Sequence, residues 1–487
     1  MEKKKTIIAI SATLALILLV ATATYAYFQA DLGNNKEVDV SVSTLTENDR
    51  FSFAVGHPLA LQADETSFVK GGDSVSDTTT ATALLTANNK TNNATKYYYL
   101  YLLILKNEFL YSQNENTPEL ILTITKPDGT ELTALDGLTY KTVTDGKGTT
   151  IKGFDITTKK GLITIADNRK ITTTSTIEEK WSITLTLVNY DVNQIDNLGK
   201  MFSSKLIIQQ DEFVPSPANI CSSNQSLNSC IISLNGYVDT LYYHDSTLTN
   251  GAGDNSYRYA GASDSVNNYI CLGSDAVTCP NGNLFRIIGV FGDQTKVIRA
   301  NSVGEQKWNT SKSNTWSTSS LNTYLNGTYL TGLGTLADKI ATTTWKTGGF
   351  SSSDNLPATI FRAEVGKNSD TTTHDAKIGL MYVSDYGFAA TPTYWTSRLY
   401  SYKTKTTENW LSSGGNNSSW TISRGSYGTY YAYCVFPNGS VSDFTNSTGN
   451  GYAVSDKSYY VYPAFSLLSS VTFASGSGTS SDPIRIN

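Results

Sequence analysis

Three histidines, His57, His244 and His374, supply all the imidazole in the chain. They lie too far apart in sequence for the short spacings of a zinc-ligating motif. His244-Asp245 and His374-Asp375 set a carboxylate beside an imidazole, a pairing that can orient a general base. Neighbouring side chains on a strand point to opposite faces, however, and no GxSxG turn offers a nucleophile. HExxH, the zinc-hydrolase signature, is missing as well. The sequence therefore places His244 and His374 at the surface or in turns. Asp128, Asp136 and Asp145 each precede a glycine, the habit of turn residues, and no D-x-[DN]-x-[DN]-G loop marks a calcium site. No catalytic residue, metal or cofactor is expected, and the chain reads as something other than an enzyme.

Five cysteines stand at 221, 230, 271, 279 and 434. Cys221 with Cys230, and Cys271 with Cys279, each enclose a short polar stretch, which suits two local disulfides in an exported protein. Zinc held by four thiolates is the alternative, without a CxxC spacing to favour it. Cys434 is left over.

The densest chemical feature is aromatic. Trp410, Trp420, Tyr427, Tyr430, Tyr431, Tyr433, Tyr459, Tyr460 and Tyr462 are interleaved with Gly, Ser and Asn. Rigid amphipathic rings beside small polar residues make contact surface at low entropic cost, and a flat ring covers the apolar face of a sugar. Trp410, Trp420, Tyr430, Tyr431, Tyr459 and Tyr460 are the candidate ligand-binding residues, with Arg424 as a partner for a ligand carboxylate. The competing reading makes half of these rings core, because alternate positions on a strand point inward. Arg424 would then lie across a tyrosine.

The elements that position these residues follow from composition and period. The chain has 487 residues, a net charge of −5 and only 16 % charged residues. Such low charge gives nucleic acid no electrostatic purchase. Residues 1–28 join Lys3, Lys4 and Lys5 to an apolar run of roughly twenty residues, enough to span a bilayer. Ala21-Thr22-Ala23 and Thr24-Tyr25-Ala26 offer cleavage sites, so a signal peptide and a transmembrane anchor both remain open. Either puts the rest outside the cell, at the membrane face or secreted. Leu356-Pro357-Ala358-Thr359 imitates the start of a sortase motif, but Ile360 stands where glycine is required.

From 29 to 212 the period is two. Val38, Val40 and Val42 alternate with polar residues, as do Leu120, Leu122 and Ile124 before the turn at Pro127-Asp128-Gly129, where a hairpin is expected. Trp181, Ile183, Leu185 and Leu187 face one way, and Tyr97–Leu105, apolar on both faces, reads as a central strand. Two packed antiparallel sheets, a β-sandwich, follow. Residues 213–220 form a linker broken by Pro215 and Pro217. The remainder, 221–487, reads as α+β, with helices around Leu321–Tyr329 and Leu333–Ile340 and strands at Leu284–Val290 and Ile378–Val383. The whole is mainly β.

The opening, closing on Ala23-Thr24-Tyr25-Ala26-Tyr27-Phe28, resembles the export segment of the camelysin and biofilm-fibre matrix family of Gram-positive bacteria. Residues 221–487 resemble a secreted module of unassigned function found in gut Firmicutes. That likeness is carried by Tyr242-Tyr243-His244-Asp245, Arg286-Ile287-Ile288-Gly289-Val290-Phe291 and Ile378-Gly379-Leu380-Met381-Tyr382-Val383-Ser384-Asp385. Trp420-Thr421-Ile422-Ser423-Arg424, Asn438-Gly439-Ser440 and Tyr462-Pro463-Ala464-Phe465 are similar to the final strands of C-type-lectin-like folds. The resemblance implies a scaffold that displays a ligand. The Glu/Gln-Pro-Asn/Asp and Trp-Asn-Asp triplets that ligate calcium beside a sugar are absent.

Three functions are in view. The first is a surface adhesin that binds a glycan, mucin or protein and is tied to the membrane by its first residues. The second is the subunit of a surface fibre or biofilm matrix, self-assembling through the sandwich. The third is a cell-wall or glycan hydrolase with scattered carboxylates.

Overall fold

The alternation between Asp49 and Gln209 becomes ten strands in the computed structural model, which describes residues 49–487 apart from 89–92, 351, 367–371, 413–417, 426–428 and 444–453. The export segment at 1–28 and the alternating run at Val38, Val40 and Val42 lie outside the described residues. No described helix is long and apolar enough to cross a membrane. The chain divides into two compact units, Met1–Val214 and Pro215–Asn487.

In the first unit the strands are β1 (Asp49–Val55), β2 (Leu59–Gln62), β3 (Val75–Ala87), β4 (Ala94–Asn107), β5 (Leu120–Thr125), β6 (Tyr140–Thr144), β7 (Thr150–Asp155), β8 (Gly161–Thr173), β9 (Thr176–Leu187) and β10 (Met201–Gln209). They form two antiparallel sheets, ordered β1-β3-β9-β5-β7-β6 and β2-β10-β4-β8. Trp181, Ile183 and Leu185 of one sheet share a buried core with Leu100, Leu102 and Ile104 of the other. On the outer face polar residues pair across β3 and β9, Ser76 with Thr186 at 2.8 Å and Thr78 with Thr184 at 2.9 Å. This is the β-sandwich that the period of two predicts.

Inside it, one polar chain ties the sheets together. Trp181 Nε1 donates to Tyr98 Oη at 2.9 Å, and that hydroxyl donates to Glu179 at 2.6 Å. Arg169 closes the chain with two bonds to the same carboxylate, at 2.7 and 2.8 Å.

Two local expectations change. The turn at Pro127-Asp128-Gly129 forms, with Gly129 at φ +80° and its N–H donating to Lys126 O at 2.9 Å. The hairpin stops after one bridge, Thr125 with Glu131, because β5 pairs with β9 and β7 instead. Nor are residues 213–220 a free linker. Phe213 is buried against Tyr101, ring centroids 5.9 Å apart, on the apolar outer face of β4, while Pro217–Ile220 begins the second unit as a helical turn. Proline suits that first helical position, where its missing N–H has no partner to lose.

The second unit is α+β. Its larger sheet runs in the order Leu241–His244, Ser256–Tyr259, Leu284–Phe291, Gln294–Arg299, Pro463–Leu467, Gly379–Leu380. A second sheet orders Glu305–Lys307, Ser458–Tyr460, Ser419–Arg424, Ala432–Val435 and Val441–Ser442. At Gly289 the strand bulges past Tyr257, where a Cβ would lie 2.1 Å from the Tyr257 carbonyl oxygen, so no larger residue fits.

The helix predicted at Leu321 begins at Ser320, with Ser319 Oγ accepting from Asn322 N at 3.0 Å. The helix predicted near Leu333–Ile340 forms over Gly334–Lys339 as a 3-10 helix. The run Ile378–Val383 keeps only Gly379–Leu380 as strand and turns into a helix over Val383–Ala389. Asp385 explains the turn, since its carboxylate accepts from Tyr382 N at 2.9 Å and caps the new helix. Leu356–Thr359, the sortase look-alike, is the cap and first turn of the helix Pro357–Glu364.

Candidate functional site

Both cysteine pairs form as the spacing predicts. Cys221 bonds to Cys230 and Cys271 to Cys279, while Cys434 is a buried free thiol, its pKa pushed well up by burial. Covalent clips of this kind are compatible with an extracellular setting.

The aromatic candidates divide between core and surface. Trp410 and Trp420 are buried, which corrects their assignment to an exposed recognition face. Their indole N–H groups are spent on backbone carbonyls, Tyr259 O at 2.8 Å and Gln306 O at 2.9 Å. Tyr433 is also core, stacked on Phe350 with centroids 4.1 Å apart. The reason is that Ser419–Arg424 and Ala432–Val435 are covered on both faces, so alternation exposes neither.

Four tyrosines do reach solvent. Tyr430 is 40 % exposed and meets Tyr431 at 4.6 Å. Tyr459 and Tyr460, half-buried on the strand Ser458–Tyr460, lie beside the core, with Tyr459 4.6 Å from Trp420. Arg424 is half-buried and donates from Nε to Gly348 O at 2.5 Å. Tyr427 lies outside the described residues.

Trp410 leads to a second place. A solvent-open cleft of about 210 Å³ is lined by Ser263, Tyr269, Arg286, Arg299, Trp410 and Tyr462, among others. The guanidinium of Arg286 lies between the rings of Tyr269 and Trp410, 4.2 and 4.7 Å from their centroids. Its N–H groups reach Asn268 Oδ1 at 2.6 Å, Ser263 Oγ at 2.7 Å and Val266 O at 2.8 Å, with longer contacts to Ser263 O and Trp410 O. Every one of these acceptors is neutral.

Burial lowers the pKa of Arg286 to about 10, and no ion pair with a described carboxylate offsets it. Arg299, at the end of the strand Gln294–Arg299, has a buried Nε with no hydrogen-bond partner. The cleft is therefore electropositive, with three aromatic rings, aliphatic side chains and hydroxyl groups in its wall. None of its lining residues is an Asp, Glu, His or Cys.

Other buried cations of this unit are matched. Arg258 pairs with Asp254 at 2.7 Å and with Asp385 at 3.6 Å, and Lys296 Nζ lies 2.5 Å from Asp385. Glu364, buried beneath them with its pKa raised by desolvation, accepts from Val383 N at 3.1 Å, Ser384 N at 2.9 Å and Ser423 Oγ. This network joins two helices to both sheets, and its carboxylates are committed to protein partners.

His244 corrects the expectation of a surface histidine. It is buried against Phe388 and Trp395, centroids 4.9 and 5.1 Å away, with Nδ1 accepting from Ala252 N at 3.0 Å. Burial first, and then the Arg258 charge, lower its pKa to about 3, against a smaller opposing pull from Asp254. His374 is half-buried, Nε2 lying 3.1 Å from Asn322 Nδ2. Among the described residues no group of His, Cys, Asp and Glu is placed to hold a metal ion.

Sequence reasoning missed Arg286, Arg299, Ser263 and Tyr269. One signal was available: Arg286 is the single charged residue in the apolar run Leu284–Val290, and a cation in a buried strand needs a reason. No protein-family model, curated protein or solved structure matches the chain.

Proposed function

We propose that the chain is a bacterial surface protein whose second unit is a non-catalytic binding module, an adhesin for a glycan, mucin or protein. The observation that carries this reading is the cleft. Rings of Tyr269, Trp410 and Tyr462, small hydroxyl residues and two guanidinium groups line it, with no Asp, Glu, His or Cys among its described lining residues. Concave sites that combine apolar walls with a few fixed polar groups are what small ligands occupy. Tyr430, Tyr431, Tyr459 and Tyr460 add contact surface suited to a larger ligand. The two disulfides and the apolar residues at 1–28 support an outer location, anchored to the membrane or released from it. The resemblance of the last strands to C-type-lectin-like folds agrees with a ligand-displaying role, and fold likeness alone does not assign one.

The test is glycan- and mucin-array binding by the purified chain. It is run beside Tyr462→Ser and beside a fourfold variant with Tyr430, Tyr431, Tyr459 and Tyr460 changed to Ser. Loss of binding in a folded Tyr462→Ser places recognition in the cleft; loss in the fourfold variant alone places it on the tyrosines. A parent that captures nothing refutes the module.

A fibre subunit is the second reading, and one observation favours it. Among the described residues β8, thirteen residues long, is bonded on one side only at the edge of its sheet, and such an edge can template another strand. Filaments that grow with concentration under electron microscopy would shift the assignment to self-assembly.

A further inference from the structure

The cleft holds a charge that no described carboxylate answers. Buried cations are costly unless paired, and this unit pairs Arg258 and Lys296 with Asp254 and Asp385. Arg286 is equally buried, yet all its acceptors are neutral oxygens. Arg299 lines the same cleft with an unpartnered Nε and makes no ion pair among the described residues. The segment 413–417, which follows the cleft residue Ser412, reads Ser-Gly-Gly-Asn-Asn and brings no acid. Two guanidinium groups without a described carboxylate therefore share one solvent-open space. The space is small, about 210 Å³, below the range typical of drug-sized ligands. Its aromatic wall suits one sugar ring better than an extended polymer.

We propose that this cleft takes the carboxylate of an acidic sugar residue, with the carboxylate drawn to Arg299 and Arg286 and an apolar face of the ring set against Tyr462. The inference rests on the reading of the second unit as a binding module and names the class of its ligand. Arg286 acts through its charge, because its N–H groups are already committed; Arg299, half-buried in the cleft wall, adds a second positive charge. Affinity then depends on ionic strength, since the attraction is between a partly exposed charge pair.

The experiment is calorimetric titration of the purified chain with N-acetylneuraminic acid and with glucuronic acid, each beside its methyl ester, and with acetate. Binding of at least one free acid, tenfold or more tighter than its ester and weakened by salt, is expected. Arg299→Gln should cost that acid tenfold or more without moving the unfolding midpoint of the second unit. An ester that binds as well as its acid overturns the charge assignment. Acetate that binds as well as the acid overturns the sugar assignment. An array on which only neutral glycans are captured leaves the binding module standing and removes this inference. Capture of nothing at all removes both.

Discussion

Replacing His244 by Asn should flatten the acid limb of stability in the second unit. The unfolded imidazole titrates near 6.5, and burial between Phe388 and Trp395 holds the folded one at about 3. Because the folded pKa is the lower, the unfolded chain takes up the proton first. Stability is therefore intact above pH 6.5 and is lost as pH falls toward 3. The loss is about 1.4 kcal/mol per pH step, so about 3 kcal/mol at pH 4.5 and about 5 kcal/mol when complete. Asparagine keeps an acceptor for Ala252 N and removes the titration. It also removes ring contacts, which costs roughly 2 kcal/mol at pH 7 by analogy with other core truncations. The two stability curves should thus approach as pH falls and meet between pH 4.5 and 5.5. Denaturant unfolding followed by tryptophan fluorescence reads the right unit, since six of the seven tryptophans lie in Pro215–Asn487. Curves for parent and variant that stay parallel from pH 7 to 4.5 would refute the buried neutral imidazole.

Further outcomes follow from the buried polar groups. Asp385→Ala leaves Lys296 and Arg258 facing each other without their shared carboxylate and should cost about 3–5 kcal/mol in denaturant unfolding. Asp354→Ala, which breaks the exposed pair with Arg398, should cost under about 1 kcal/mol in the same assay. In the first unit Tyr98→Phe strands the Trp181 N–H and leaves Glu179 to Arg169 alone, lowering the stability of that unit by about 1–3 kcal/mol. Far-ultraviolet dichroism follows it. Cys434, buried and with its thiol pKa raised, should be inert to a thiol reagent in the native chain and react once per chain after unfolding without reductant.

The sandwich was legible in the sequence because one face of each strand is dry and the other wet, so Trp181, Ile183, Leu185 and Leu187 declare their side. The disulfides were legible because short loops bring their ends together without help from the fold. The second unit was harder, since its strands Ser419–Arg424 and Ala432–Val435 are covered on both faces and carry no period that separates core rings from surface rings. Trp410 and Trp420 looked like Tyr430 in composition and proved to be core, each indole fixed by a carbonyl from a distant segment. His244 was misjudged for a related reason. A buried polar residue is recognised by its surroundings, and Arg258, Phe388 and Trp395 are remote in sequence. The cleft belongs to the same class, assembled from residues spread between Ser263 and Tyr462.

The most direct measurement of the central proposal is to pass the purified chain over immobilised mucin and over a glycan array, and to assay both retention and any soluble product. Retention that tracks the cleft and tyrosine variants, with the immobilised sugars recovered intact, is the predicted result. Release of cleaved glycan, or no retention by a folded chain, would contradict a binding module.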